Sequence, residues 1–203
     1  NYVFASSSSV YGERTDYPFN EKMMVDNPIS FYAATKKAGE EINHVFAHLY
    51  HIKTVNLRFF TVYGPSQRPD LAIHKFAQLM YENKPLPVYG DGSFRRDFTY
   101  IDDIVQGITK ALDYVQTSQG FLFETFNLGE SETVSVLEMI EALEKALNLK
   151  AQIEFKPLQL GDVPITYANI DKAKKILGYK PTTPFKEGIK NFAQWFLEYK
   201  KNS

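Results

Sequence analysis

Short runs of apolar and β-branched residues alternate with longer stretches of helical periodicity, and this alternation limits what the chain can fold into more than any other feature. Tyr2-Val3-Phe4-Ala5 reads as a buried strand running into the serines Ser6 to Ser9. Between residues 31 and 50 the apolar positions Phe31, Ala38, Ile42, Val45, Phe46 and Leu49 fall on a helical period, which predicts an amphipathic helix. Residues 54–60 are β-branched and aromatic and are followed by Gly64-Pro65, a strand and then a turn. Further on, the pattern predicts a helix over 71–81, a loop with a short edge strand over 84–92, and an extended piece at 98–100. It then predicts a helix to Tyr114 capped by Asp102 or Asp103, and a strand over 123–128 stopped by Gly129. Ser135 is placed to cap a helix over 136–147, and Asp171 a short one ending at Gly178; residues 184–199 close the chain as a helix. Strands alternating with helices define an α/β class with parallel pairing. The largely helical tail after Thr133 suggests a second, smaller lobe.

Composition narrows the chemistry. With a net charge of -1, no global field favours nucleic acid or an anionic membrane. The absence of cysteine removes disulfides, thiolate metal sites and thiol nucleophiles, and fits the cytoplasm. No apolar stretch approaches the length of a membrane span, and no signal-peptide pattern is found. Asn1 opens the sequence next to a strand already under way, which reads as a piece of a longer chain.

Ser7, Tyr32 and Lys36 are the candidate catalytic group. Tyr32 and Lys36 are four residues apart on the expected helix and share a face. An ammonium near a phenol favours the phenolate, which makes Tyr32 a general base for a hydroxyl. Ser7, at the end of the preceding strand, is placed to hydrogen-bond the same oxygen. The Tyr-Lys spacing alone is weak in a chain with 13 tyrosines; an exposed helical pair would explain it as well.

Context adds weight. Ser7 stands 25 positions before Tyr32-Ala33-Ala34-Thr35-Lys36, with Ser9-Val10-Tyr11-Gly12 after the strand. This arrangement resembles the Ser-Tyr-Lys triad of the extended short-chain dehydrogenase/reductase family, the NAD-dependent epimerases and dehydratases. Leu57 to Pro65 resembles the strand and loop that follow the triad helix in that family. Gly90 to Ile104 resembles its diphosphate-binding segment. Phe126-Asn127-Leu128-Gly129 and Gly161-Asp162-Val163-Pro164 match in the same order.

The resemblance implies the C-terminal part of a Rossmann-like parallel sheet, residues 1–66 and 102–133, and a smaller α/β substrate-binding lobe, residues 67–101 and 134–203. It implies NAD as cofactor, contacted by Tyr32, Lys36 and Phe59, a nucleotide-sugar substrate, and a homodimer that includes the Tyr-Lys helix. Tyr32 would take the proton of the sugar 4-hydroxyl, and a 4-keto sugar would turn over in the site.

Relatives that dehydrate the sugar carry a carboxylate where this chain has Ser8 and Ser9, so the resemblance favours epimerisation. Ser8, Ser9, Thr61 and Arg68 are placed to meet a sugar carboxylate. The serine run with Arg68-Pro69-Asp70 is most similar to UDP-glucuronate 4-epimerases; UDP-glucose 4-epimerase is the alternative within the class, and a non-catalytic nucleotide-sugar-binding module the alternative outside it. In the second lobe Arg96 is implied as the main diphosphate cation, and Arg95 reads equally as a solvated charge. Tyr89 is implied beside the base or in the core, and Asp162 at the ribose. Gln159 departs from the pattern by standing where many UDP-galactose epimerases carry a second phosphate-binding arginine.

Two other signals have simpler explanations. His44, His48 and His51 share a helical face but lack a further ligand to complete a metal site, and read as solvated histidines. Asp102-Asp103 reads as helix capping rather than as a carboxylate pair. No glycine-rich dinucleotide loop occurs in the sequence, so residues 1–203 alone are expected to be inactive and to expose a sheet edge.

Overall fold

The computed structural model describes residues 1–158 and 163–202. Its centre is a three-stranded parallel sheet of β1 (Tyr2–Ser7), β2 (Thr54–Phe59) and β7 (Phe123–Leu128), in the order β1-β2-β7. Between β1 and β2 the chain crosses through helix α1 (Phe31–Tyr50), capped by Ser30, whose hydroxyl accepts from Ala33 N. The chain leaves β2 through β3 (Thr61–Tyr63), α2 (Ala72–Tyr81), β4 (Leu86–Tyr89), β5 (Arg95–Arg96) and β6 (Phe98–Tyr100). It returns to the sheet through α3 (Ile101–Thr117). After β7 come β8 (Val134–Ser135), α4 (Val136–Leu147), β9 (Ile153–Lys156), β10 (Ile165–Thr166), α5 (Asp171–Leu177) and α6 (Phe185–Lys201). Small two- and three-stranded sheets join these pieces: β3 with β6, β4 with β9, and β10-β5-β8.

β2 is covered on both sides, and its residues sort by face. Val55 and Leu57 join Ile104, Ala111 and Val115 of α3 in one apolar cluster with Phe126 and Leu128. The alternate residues Asn56 and Arg58 meet α1 through polar contacts, Asn43 to Asn56 and Glu40 to Arg58. The second cluster packs Tyr63, Ile73, Phe98, Met139, Leu143, Phe192 and Phe196 between α2, α4 and α6. Ala168, Ile170, Ala173, Leu177 and Tyr179, from the segment expected in the second lobe, pack into the first cluster.

Several local expectations change. The helix over 31–50 forms, but its apolar stripe faces outward: Phe31 is 95% exposed, and Ile42, Val45, Phe46 and Leu49 are exposed with it. The face turned to the sheet carries Ala33, Glu40, Asn43 and Ala47, because β2 presents Asn56 and Arg58 there. Tyr2 to Ala5 is not fully buried; β1 pairs only with β2 among the described strands, and Tyr2 is exposed. Asp102 and Asp103 lie inside the first turn of α3 and do not cap it. Asp103 instead accepts hydrogen bonds from the backbone N–H groups of Thr182 and Thr183, holding the approach to α6. Asp171 is likewise the first residue of α5; the Asn169 side chain accepts from its N–H. Ser135 does cap α4, in a reciprocal capping box with Glu138.

Candidate active site

Parallel α/β sheets offer their ligand crevice at the C-terminal ends of the strands. Here that edge is the row Ser7–Phe59–Leu128, matched residue for residue across β1, β2 and β7. Ser7 is buried, and its hydroxyl accepts from Ser9 N at 3.2 Å and donates to Ser9 Oγ at 3.1 Å. Those bonds fold the serine run into a single 3-10 turn over Ser8–Tyr11 and keep Ser8 and Ser9 at the strand end.

The Tyr-Lys face of α1 lies over β1. Lys36 Nζ donates to Ala5 O at 2.8 Å, two residues before Ser7. The same ammonium lies 5.4 Å from the centre of the Phe4 ring and 5.7 Å from that of Tyr32. An ammonium has three N–H donors, and the bond to Ala5 uses one. Tyr32 is 54% exposed, so its phenol is open to a substrate. Ser7 and Phe59 are thus paired at the strand ends with Ser8 and Ser9 following, and Lys36 fastens the Tyr32 face of α1 to β1 two residues short of Ser7.

Tyr89 and Arg96 meet elsewhere, in a cavity of about 270 Å³ that Lys75, Asp70 and Phe94 also line. Successive strand residues point to opposite faces, and the two arginines of β5 separate accordingly. Arg96 lines this cavity, its guanidinium 5.9 Å from the Phe94 ring. Arg95 is not a solvated charge: it donates to Thr133 Oγ1 and to Thr133 O and pairs with Glu138, tying β5 to β8 and α4. Arg68 is exposed and forms a two-bond pair with Asp70, which lines the cavity. Thr61 begins β3, its N–H bonded to Asp97 O. Gln159 and Asp162 lie outside the described residues. A larger cavity of about 710 Å³ lies between α4 and α6, lined by Lys145, Glu138 and Phe185 among others. It contains none of the predicted residues; of its charged groups, Glu138 pairs with Arg95 and Lys145 with Glu141.

Sequence reading missed four supporting side chains and one clamp. Arg58 and Glu40 form an ion pair with each side chain 5% exposed. Arg58 Nη1 also donates to the Tyr11 hydroxyl, which donates in turn to Asn127 Oδ1 at 2.7 Å. Burial pushes the Tyr11 phenol up to about 12 despite Arg58, so it stays a proton donor. The signal was present: Glu40 repeats the four-residue spacing of Tyr32 and Lys36, and Arg58 is a charge inside an apolar strand. The clamp is Asp97, fully buried next to Arg96, which accepts from the N–H groups of Glu130, Ser131 and Ala168 and from Thr99. It ties the end of β5 to the loop after β7 and to the chain after β10. His44 packs edge-on against Phe123, and no cluster among the described residues is arranged to hold a metal ion.

Fold and site together define a Rossmann-like α/β protein with a polar serine run at the strand ends and, apart from it, a cavity that Arg96, Lys75 and Asp70 line. Residues 1–192 match the family model described as GDP-mannose 4,6 dehydratase, and the chain belongs to that family of NAD-dependent epimerases and dehydratases. It is 46% identical over 209 residues to UDP-glucuronate 4-epimerase 4 of Arabidopsis thaliana, covering 97% of this chain and 48% of that protein. It is similar to the UDP-glucuronic acid 4-epimerase of Bacillus cereus, solved with UDP-glucuronic acid and NAD. That likeness has a TM-score of 0.89 at 39% identity and covers 97% of this chain and 61% of that one. It is also similar to a UDP-N-acetylglucosamine 4-epimerase of Methanobrevibacter ruminantium, with a TM-score of 0.88 at 26% identity over 97% and 63% of the two chains. The chain therefore spans between about half and two thirds of the length of these relatives.

Proposed function

We propose that the full-length protein epimerises C4 of a UDP-sugar, UDP-glucuronate first among candidates, through a 4-keto sugar. The observation that carries this reading is the bond from Lys36 Nζ to Ala5 O, which sets the Tyr32–Lys36 face against the strand that ends at Ser7. Tyr32 takes the proton from the 4-hydroxyl and later returns it, and the Ser7 hydroxyl holds that oxygen during the exchange. The ammonium of Lys36 stabilises the charge on Tyr32. Arg96 and Lys75 receive the diphosphate, where a planar guanidinium suits phosphate oxygens, and Tyr89 lies along the nucleotide. Ser8, Ser9, Thr61 and Arg68 receive the sugar carboxylate, with Gln159 and Asp162 on the nucleotide side.

The donor set fits one end of NAD: Lys36 has two N–H donors for ribose hydroxyls, Tyr32 is open beside it, and Phe59 lies at the strand end. NAD, when bound, supplies the acceptor and donor for the C4 hydride. The reading carries with it a cytoplasmic homodimer, supported by the exposed apolar stripe of α1. No described helix is long and apolar enough to cross a membrane.

Full-length protein should be given UDP-glucuronate, UDP-glucose and UDP-N-acetylglucosamine separately, and the products resolved. Fastest turnover of UDP-glucuronate supports the full reading. Faster turnover of either other sugar keeps the reaction and moves the substrate. Tight binding without conversion of any sugar leaves a binding module.

A further inference from the structure

Tyr32, Lys36 and Glu40 succeed one another at four-residue intervals along one face of α1. The first two have roles in the reading above; the third is buried and has none. Its carboxylate takes three hydrogen bonds. Ser6 Oγ donates to Oε1 at 2.5 Å, Arg58 Nε to Oε1 at 2.9 Å, and Arg58 Nη2 to Oε2 at 2.8 Å. Ser6, Arg58 and Asn127 are direct partners across β1, β2 and β7. Their row lies one residue below the row of Ser7, Phe59 and Leu128 that forms the edge of the crevice.

Stability alone does not account for this arrangement. A buried ion pair recovers little more than the cost of removing its charges from water, and apolar packing of the same volume often serves as well. What a two-bond guanidinium–carboxylate pair adds is a single geometry. Here that geometry fixes the rotation and height of α1 above the crevice row. We propose that Glu40 is a positioning residue: held by Ser6 and Arg58, it sets where the Tyr32 phenol and the Lys36 ammonium stand over Ser7. The proposal rests on the reading of Tyr32 as the proton acceptor. A displacement of 1 Å at a reacting group can cost about a hundredfold in rate, so a loosened α1 would act on turnover before binding.

The test uses full-length protein, measuring kcat, KM for the UDP-sugar, and the pH profile of kcat, well below the melting temperature. Ser6→Ala removes one bond to Glu40 and leaves the ion pair in place. It should lower kcat about tenfold or more with KM nearly unchanged, and should change the shape of the pH profile of kcat. Ser6→Thr, which restores a hydroxyl, should recover most of the rate. Glu40→Gln should act in the same direction and more strongly; if it does not fold, the Ser6 pair decides. Folded Ser6→Ala protein with wild-type kcat and pH profile, beside an inactive Tyr32→Phe, would overturn the proposal and leave the function standing. A fully active Tyr32→Phe would remove the function and the proposal together.

Discussion

Arg58 and Glu40 satisfy one another out of water, so truncating one strands the other. Arg58→Leu should cost about 3–5 kcal/mol in denaturant unfolding, far more than loss of an exposed pair such as Arg68–Asp70. Glu130 is a different case. One of its oxygens, Oε2, is buried with no hydrogen-bond partner among the described residues. Burial first, and then the nearby Asp103, Asp97 and Glu132, push its carboxyl up to about 7. The folded state therefore holds a proton that the unfolded chain releases near 4.5, and stability falls as pH rises from there to about 7. Glu130→Gln should remove that part of the slope. Its melting temperature should match the wild type below pH 4.5 and exceed it above pH 7; equal curves at both ends would contradict the assignment. Tyr32 and Lys36 stand out in the sequence through a local four-residue spacing, and Ser7, 25 positions away, joins them only through the family resemblance. For Glu40, Arg58 and Asp97 the sequence marks the residue but not its role, since all their partners but Thr99 lie 18 to 71 positions away and only the folded sheet brings them together.

At the level of elements, periodicity located α1 to the residue but left open which of its sides meets the sheet. A repeat shows that one side of a helix is apolar; which side meets the protein depends on what the neighbouring strand presents. β2 presents Asn56 and Arg58, so the polar side went inward. Gly39 shows how closely α1 lies on β1: a Cβ there would fall 2.4 Å from Phe4 Cζ. Gly39→Val should cost about 2 kcal/mol by overpacking and lower turnover through α1, read by thermal melting and kcat on the same sample. The capping box of α4 was readable from Ser135 and Glu138 alone, and Ser135→Ala should cost about 1 kcal/mol. The start of α3 was misplaced by two or three residues and that of α5 by one, because Asp102, Asp103 and Asp171 look like caps in sequence and are used otherwise in space.

For the whole molecule, the parallel α/β class followed from alternation alone, whereas β5, β8 and β10, two residues each, carry too few positions to show a period. The exposed stripe of Ile42, Phe46 and Leu49 is an apolar surface that the proposed homodimer would cover. Phe46→Glu should convert a dimer to a monomer in sedimentation velocity; an unchanged sedimentation coefficient would place the interface elsewhere. In the proposed mechanism Tyr32 moves a proton on the 4-hydroxyl while the hydrogen on C4 leaves and returns without meeting solvent. Full-length protein turning over UDP-glucuronate in deuterated water tests it directly. The C4 epimer should form with no deuterium at C4, and Tyr32→Phe should give no product. Deuterium at C4, or normal product from Tyr32→Phe, would contradict it.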